Sequence, residues 1–242
     1  MKKRGNRKKK RIVFAIVNGA LLLIMAACLI TTAILSNTLA SQKEASRWRG
    51  ESDMELSQIS CFIPVDEKIG LEKVAAFRTK LTEELHKAAL DIDNDSTLFV
   101  DAWSCTGKVN VSSDNGKGEA AVIAVGGEFF DFHPIRLISG SYITQRDLMK
   151  DRVLLDEDLA WLLYGGTDIA GLSMKINGVP YMIAGVVERE QDKFSTAAYT
   201  SGRGLYMSYD GYSQLVEDAG ITCYELVMAN PVKDFALGVA KK

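Results

Sequence analysis

Residues 12–35 have the sequence IVFAIVNGALLLIMAACLITTAIL and contain no charged side chain. As a helix this segment would be about 36 Å long at about 1.5 Å per residue, against a hydrocarbon core of about 30 Å. It is long and apolar enough to cross a bilayer with some tilt, and we predict a single transmembrane helix here. The whole chain has 242 residues, of which 47% are hydrophobic and 25% charged, and this composition excludes intrinsic disorder for most of its length.

The two flanks of this segment differ in charge. Residues 1–11 carry eight Lys or Arg and no acid, whereas the rest of the chain has a formal charge of −10 within a total of −2. The positive-inside bias predicts a cytoplasmic basic tail and an extracytoplasmic body, so the protein would lie in the cell (plasma) membrane. Because the cations adjoin the apolar segment, we interpret them as contacting membrane lipid rather than nucleic acid.

A cleaved signal peptide is a competing interpretation, with residues 38–40 as the cleavage site. The apolar segment is, however, longer than the roughly 7–15 residues typical of such peptides. Within the segment, Ala15 and Gly19 lie four residues apart and Asn18 lies beside them, so one helix face combines small residues with a hydrogen-bonding group. We expect this face to pack against another membrane helix.

The region after the membrane segment divides into a stalk and a folded body. Residues 36–53 are polar and lack proline, and we expect a stalk that continues the membrane helix outward; a flexible linker is the alternative. Residues 54–65 alternate like a strand, residues 70–91 have one apolar stripe at helical spacing, and residues 97–109 return to strand character. This strand, helix, strand order predicts half of an α/β sandwich.

The middle of the chain contains short elements with clear local signals. Asp156 is a candidate N-cap for a helix over residues 157–164, which a following Gly-Gly pair would end. Asn177-Gly178 between two strand-like runs predicts a tight hairpin. The segment LISGSY at residues 137–142 predicts a turn, and residues 212–219 predict a short helix.

The last residues predict an incomplete unit. Residues 222–228 predict a strand, and residues 232–242 begin a helix in which Phe235, Leu237 and Val239 form an apolar face. The strand that should complete this unit is missing from the sequence. We therefore interpret the chain as a fragment or partial copy of a longer protein.

Patterns typical of an enzyme or of a metal site are missing from the sequence. It has no G-x-S-x-G motif, and its two histidines, His86 and His133, stand apart from each other in a chain without C-x-x-C. The acidic run at residues 91–95 lacks the Gly and Glu that a calcium loop needs. No G-x-x-x-x-G-K-[ST] phosphate loop occurs. We expect no enzymatic activity, no metal and no cofactor in this chain.

An ordered series of short motifs resembles the extracytoplasmic core domain of MacB/FtsX-type ABC transporter permeases. The family's order is an FF element, a glycine turn before an acidic residue, a strand, a helix that ends in an aromatic residue and glycine, and a hairpin. The basic tail and single leading membrane helix match as well, so the resemblance covers residues 10–242. The residues that carry it are Phe129-Phe130, Leu137-Ile138-Ser139-Gly140, Asp147, Val153-Leu154-Leu155-Asp156-Glu157, Ala160, Leu163-Tyr164-Gly165, Gly171, Ile176-Asn177-Gly178 and Tyr181-Met182-Ile183-Ala184-Gly185-Val186.

This resemblance implies an α+β ectodomain with two lobes. One lobe would be a βαβ…βα sandwich formed by residues 54–110 and 220–242, and the other a β-rich insertion formed by residues 111–219. A family permease has further membrane helices and pairs with a cytoplasmic ATPase. Since this chain has one membrane segment and no phosphate loop, both the other permease helices and the ATPase would be separate partners, and ATP would act only through that ATPase subunit.

The implied sandwich would also bring two cysteines close together. If it forms, the strands that hold Cys61 and Cys223 should be neighbours. A disulfide between them is therefore a hypothesis, permitted on the extracytoplasmic side but subject to restrictive geometry.

Two functions are compatible with the sequence. The resemblance implies a membrane-anchored subunit or fragment of an ABC transporter permease, which couples ATPase-driven motion to the export or release of an extracytoplasmic substrate. The alternative is a stand-alone membrane-anchored binding or scaffold module, which would contact its partner through the tyrosine-rich residues 199–212.

Overall fold

The computed structural model separates the chain into two compact units, Met1–Lys43 and Glu44–Lys242. Within the first helix, side chains are described from residue 11 to residue 35. Three predicted features lie partly or wholly outside the described residues. They are parts of the stalk, the whole acidic run at residues 91–95, and the start of the tyrosine-rich stretch. The residues that the structure describes are 2–38, 43–50, 54–88, 98–188 and 204–241.

The first unit contains one long helix, α1 (Lys2–Thr38). Its segment Arg11–Leu35 has a mean hydropathy of 2.6 and none of it is buried, so by length and composition it could cross a membrane. The helix predicted over residues 12–35 is confirmed. The hydroxyl of Thr32 donates to the Cys28 carbonyl one turn earlier at 2.8 Å, a bond that satisfies a polar group without water in an apolar surrounding.

The second unit contains nine described strands and six described helices, along with one turn of 3-10 helix at Val65–Glu67. In chain order they are α2 (Glu44–Arg49), β1 (Leu56–Phe62), α3 (Leu71–Lys87), β2 (Phe99–Ser112), β3 (Lys117–Gly127), α4 (Phe129–Phe132), β4 (Leu137–Gly140), β5 (Arg152–Asp156), α5 (Glu157–Tyr164), β6 (Ser173–Ile176), β7 (Val179–Val187), β8 (Gly204–Ser208), α6 (Tyr209–Leu215), β9 (Cys223–Ala229) and α7 (Phe235–Ala240).

The described strands form one mixed sheet in the order β1-β9-β2-β3-β8-β5-β7-β4, and β6 pairs with both β2 and β7. The pairs β3–β8 and β5–β7 are parallel, and the other pairs are antiparallel. Strand β9, which comes late in the sequence, lies between β1 and β2. The two strands of the strand, helix, strand unit predicted at the start of the body are therefore not neighbours in the sheet. The α+β class expected from the sequence is confirmed.

The sheet runs without interruption through the two lobes that the resemblance implied. Their boundary, between residues 110 and 111, falls inside β2, which pairs with β3 along its length and with β9 on its other side. Because β2 is 14 residues long, it carries hydrogen bonding directly from the sandwich strands to the insertion strands. Residues from both implied lobes therefore belong to a single compact unit.

The sheet has a hydrophobic core on each face. The face covered by α3, α5 and α6 holds the larger cluster, to which α3 contributes Val74, Leu81 and Leu85. The opposite face holds a smaller cluster centred on Phe129 and Phe132 of α4. The aromatic run that precedes His133 is thus a core element rather than a surface patch.

Local signals around α5 and the β6–β7 hairpin are confirmed. Asp156 Oδ1 accepts a 2.7 Å hydrogen bond from the Leu159 N–H, and Gly165 ends the helix with a φ of 72°. Asn177 and Gly178 both have positive φ, 49° and 87°, which is the backbone that a two-residue hairpin turn requires.

Two sequence predictions are wrong. Residues 137–142 were expected to form a turn, but Leu137–Gly140 is a strand that pairs with β7 through an irregular register. Such a short strand has too little alternation to be recognised and depends on its partner. The helix expected over residues 212–219 lies at Tyr209–Leu215, because Tyr209 and Tyr212 are both buried on one helical face.

Candidate functional site

A connected group of polar side chains joins α3 to the sheet. Arg78 Nε donates to Asp101 Oδ2 at 2.7 Å, and Arg78 Nη2 donates to Asp101 Oδ1 at 2.5 Å. Asp101 is 3% exposed, whereas the Arg78 side chain is about one-third exposed. This two-point pair matches the planar fork of guanidinium to carboxylate, and the hydrogen bond to Asp101 raises the pKa of Arg78. Arg78 is therefore charged throughout the physiological pH range.

Two aromatic side chains complete this group, which we call the Arg78 network (Arg78, Asp101, Trp103 and Tyr224). The Tyr224 hydroxyl donates to Asp101 Oδ2 at 2.6 Å, and burial together with the nearby Asp101 carboxylate raises the pKa of Tyr224. The guanidinium carbon of Arg78 lies 5.0 Å from the centre of the Trp103 ring, in a cation–π contact. The network thus fixes α3 against β2 and β9 at one point.

A cleft of about 250 Å³ lies beside the Arg78 network, and we call it the α3 cleft. One side is formed by α3 and Trp103, and the other by residues 143–152 and the start of α6. Cationic, acidic and aromatic side chains all line it. Representative lining residues are Arg78, Trp103, Phe130, Arg152 and Asp210.

A second, more apolar groove of about 230 Å³ lies where β1 and α3 meet the end of α7. Its lining includes Ile59, Cys61, Phe77 and Leu226. Strand β1 is at the edge of the sheet, so its outer backbone groups are not paired with another described strand. The groove therefore combines an apolar surface with an open strand edge.

On the other face of the sheet, α2 docks against α4. Arg47 Nη2 donates to the carbonyls of Asp131 and Phe132 at 3.1 and 3.3 Å, and Arg47 is also paired with the fully buried Glu44. Beyond α4, His133 contacts the Glu225 carboxylate of β9. The first helix of the body is thereby linked, through α4, to β9.

The predicted membrane-helix site residues lie together on α1, since Ala15, Asn18 and Gly19 follow one another at helical spacing. Asn18 Nδ2 donates to the Phe14 carbonyl of its own helix at 2.8 Å. A Cβ added at Gly19 would meet nothing within 4 Å. The face is thus open to a neighbour, and the packing role stays a prediction.

The strands that hold the two cysteines of the proposed disulfide are indeed neighbours. Cys61 pairs with Tyr224 across β1 and β9, whereas Cys223 pairs with Phe62. This offset of one residue directs the two thiols to opposite faces of the sheet. Both cysteines are free thiols in the structure, so the register does not favour the bridge.

Sequence reasoning did not identify the Arg78 network. One signal was present: Asp101 and Trp103 are alternate residues of β2, so an acid occupies a position on the same face as a core aromatic. A buried acid on a core face requires a partner. Its partners, Arg78 and Tyr224, come from α3 and β9, and no sequence spacing relates them to it.

Comparison with known proteins identifies the family. Residues 14–236 match the model of the MacB-like periplasmic core domain, so the chain belongs to this family. The family forms periplasmic domains of ABC-type transporter permeases rather than classical enzymes. An apolar N-terminal helix followed by such a domain indicates a membrane-anchored chain with an extracytoplasmic body.

Several solved structures are similar to this chain. The extracellular domain of the noncanonic ABC-type transporter YknZ from Gram-positive bacteria is 12% identical, with 76% of this chain and 88% of that chain covered and a TM-score of 0.48. The periplasmic region of MacB from Actinobacillus actinomycetemcomitans is 15% identical, with coverages of 65% and 68% and a TM-score of 0.45. A domain of a putative permease protein from Porphyromonas gingivalis is 17% identical, with coverages of 62% and 70% and a TM-score of 0.40. The search of curated proteins gives no match.

Proposed function

We propose that this chain is a membrane-anchored subunit or fragment of an ABC transporter permease, which couples motion driven by a separate cytoplasmic ATPase to the export or release of an extracytoplasmic substrate. The observation that carries the proposal is the family match, because it includes most of the apolar helix and nearly all of the body in one continuous segment. The basic residues 1–11 support a cytoplasmic N-terminus.

The proposed mechanism is mechanical. Motion of the membrane helices would reach the body through its first helix, α2, which Arg47 fastens to the carbonyls of α4. The contact between His133 and Glu225 would then pass the motion from α4 to β9. The Arg78 network would pass it from β9 and β2 to α3. Rigid hydrogen-bonded contacts of this kind can pass a displacement between elements without any bond chemistry.

The orientation can be tested with the natural cysteines. Cys61 is exposed, whereas Cys105 is buried and Cys223 is half-buried. Burial raises the pKa of the Cys105 and Cys223 thiols to about 12, so both are protonated and unreactive at neutral pH. A maleimide that cannot cross membranes should label the chain in intact cells, and Cys61→Ser should remove that label. Labelling of Cys61 only after permeabilisation would place the body inside the cell and would contradict the proposal.

The ATPase partnership can be tested by affinity capture of the tagged full chain from detergent-solubilised membranes of its own host. We expect an ATPase subunit with a G-x-x-x-x-G-K-[ST] motif to be captured together with further permease helices. The control is a chain in which residues 12–35 are replaced by an unrelated apolar helix, which should lose these partners. Capture of the chain without any ATPase would contradict the proposal.

The alternative function, a stand-alone binding or scaffold module, was based on a tyrosine-rich surface. In the described part of that stretch, Tyr206, Tyr209 and Tyr212 are each at most 5% exposed. Their rings belong to the two cores rather than to a contact surface. We therefore prefer the permease function, and the capture experiment separates the two.

A further inference from the structure

Two buried donor atoms beside the α3 cleft have no hydrogen-bond partner among the described residues: Nε1 of Trp103 and Nε of Arg152. Both residues line the cleft, and Trp103 is only 5% exposed. Leaving a buried polar atom unsatisfied destabilises a fold, because the atom gives up its hydrogen bonds to water without replacing them. Donors of this kind at one cleft therefore indicate that an acceptor from outside the chain belongs there.

Arg152 is the cation of the cleft that is best placed to accept a ligand. Its Nη1 lies 3.8 Å from Asp147 Oδ2, which is beyond hydrogen-bond distance. The two oxygens of Asp147 instead accept from Thr144, Oδ2 from the backbone N–H at 3.0 Å and Oδ1 from the hydroxyl at 3.2 Å. Asp147 is thus held near Arg152 without occupying its guanidinium fork.

The other two cations of the cleft have closer partners. Arg78 directs its fork at Asp101, and Lys150 Nζ donates to the Gln145 carbonyl at 2.9 Å. A planar guanidinium without such a partner matches the two oxygens of a carboxylate. Since Asp147 and Asp210 also line the cleft, a singly charged carboxylate suits it better than a doubly charged phosphate.

The side chains that line the cleft indicate the chemistry of the rest of the ligand. Trp103, Phe129, Phe130 and Tyr209 contribute aromatic surface to it. Gly126 lets the Trp103 ring pack directly on the backbone of β3, because the ring occupies the space where a side chain at Gly126 would begin. An aromatic body of modest size would pack on these rings while its acidic end meets Arg152.

We propose that the α3 cleft binds an organic carboxylate with an aromatic body. Arg152 holds the two carboxylate oxygens, and Nε1 of Trp103 donates to an acceptor of the ligand. Such a group occurs both in a free organic acid and at the C-terminus of a peptide. This site does not depend on the transport function, since a cleft of this kind would bind its ligand in an isolated, anchored module as well.

The test uses the full chain in detergent and three probes: N-acetyl-L-phenylalanine, its methyl ester, and a short peptide that ends in phenylalanine with a free carboxylate. The reporter is the indole N–H resonance of Trp103 in a Trp48→Phe/Trp161→Phe background. We expect the free acid to shift this resonance in a saturable way and the ester to bind about tenfold more weakly, because it loses the charged hydrogen bonds. Binding of the peptide would assign the site to peptide C-termini, and binding of the acid alone would assign it to free organic acids.

Two variants separate the site from a general effect on the fold. Arg152→Gln should weaken binding of the acid about tenfold, and Arg152→Lys, which keeps the charge but loses the fork, should recover only part of it. Arg136→Gln is the matched control, because Arg136 is an exposed arginine paired with Glu188 and does not line the cleft. Equal binding of acid and ester, unchanged affinity in Arg152→Gln with a native melting curve, or no shift of the Trp103 resonance by either acidic probe would overturn the proposal.

Discussion

Arg78 and Asp101 form a two-point ion pair that joins α3 to β2 of the sheet, with donor–acceptor distances of 2.7 and 2.5 Å. Asp101 is the more deeply buried partner, and Tyr224 donates a third hydrogen bond to it. Three separate elements, α3, β2 and β9, therefore meet at one carboxylate. In a domain that is proposed to transmit motion, this contact is where α3 and the sheet must move together.

The first prediction concerns the charge of Asp101. Asp101→Asn keeps the shape of the side chain but leaves the Arg78 charge without its counter-ion, and we expect the free energy of unfolding to fall by about 3 kcal/mol. Thermal unfolding of the full chain in detergent measures the change. Glu119→Gln removes one partner of the exposed Lys108–Glu119 pair and should change stability by less than about 1 kcal/mol. An equal loss in both variants would show that the burial of Asp101 has no special effect.

The second prediction concerns the close packing of Trp103 on Gly126. A Cβ at Gly126 would lie 2.3 Å from two atoms of the Trp103 ring, so Gly126→Ala must displace the indole. We expect a loss of about 1–3 kcal/mol and a change in Trp103 fluorescence. At Gly166 an added Cβ meets nothing within 4 Å, so Gly166→Ala should leave both readouts nearly unchanged. A stable Gly126→Ala variant with native fluorescence would contradict this packing.

The third prediction concerns pH. Burial raises the pKa of the Cys105 thiol to about 12, above its value of about 8.5 in an unfolded chain. The neutral thiol therefore contributes stability that is complete below about pH 8.5 and is lost as the pH rises towards 12. We expect the free energy of unfolding to decrease over this range, helped by Tyr209, whose pKa burial also raises to about 12.

This prediction is checked by measuring the slope of the free energy of unfolding against pH between about 8.5 and about 11. Cys105→Ala should make this slope shallower whatever its effect on stability at neutral pH. Cys61→Ala, at an exposed thiol, serves as the control and should leave the slope unchanged. If both variants keep the slope of the natural chain, Cys105 does not contribute to the alkaline loss.

The fourth prediction concerns Asp156, which has two structural roles. One oxygen caps α5 through the Leu159 N–H at 2.7 Å, and the other accepts from the Gly204 N–H at 2.6 Å. Asp156→Ala loses both bonds in a buried position, and we expect it to cost about 2–4 kcal/mol. Asp156→Asn retains one carbonyl acceptor and should cost clearly less, as chemical denaturation can show. Equal losses in the two variants would mean that the hydrogen bond retained by Asn adds nothing to stability.

Local signals of the sequence were sufficient for α5 and the β6–β7 hairpin. The Asp156 cap and the Asn177-Gly178 turn depend on backbone conformations that only a few residue types favour, so they can be recognised within a few positions. The short strand at Leu137–Gly140 could not be recognised in this way. It exists because β7 offers it hydrogen bonds, and the paired residues of β7 are 45 to 50 positions further along the chain.

The α3 cleft and the Arg78 network could not be predicted from the sequence. Arg78, Asp101 and Tyr224 are separated by 23 and 123 residues along the chain, and Arg152 comes from yet another strand. A helical stripe predicts which face of α3 is buried, but it does not predict which carboxylate will meet the arginine next to that stripe.

The sequence by itself determined the membrane segment, the charge asymmetry around it and the order of most strands and helices, because length, hydropathy and turn chemistry act over short stretches of chain. The family resemblance could also be recognised in the sequence, from motifs of a few residues in a fixed order. Only the tertiary structure decided that β9 lies between β1 and β2, that one sheet joins both predicted lobes, and that the thiols of Cys61 and Cys223 face apart. These features depend on strand order and register, which arise from pairing between distant segments, and a shift of one residue reverses the face of every side chain.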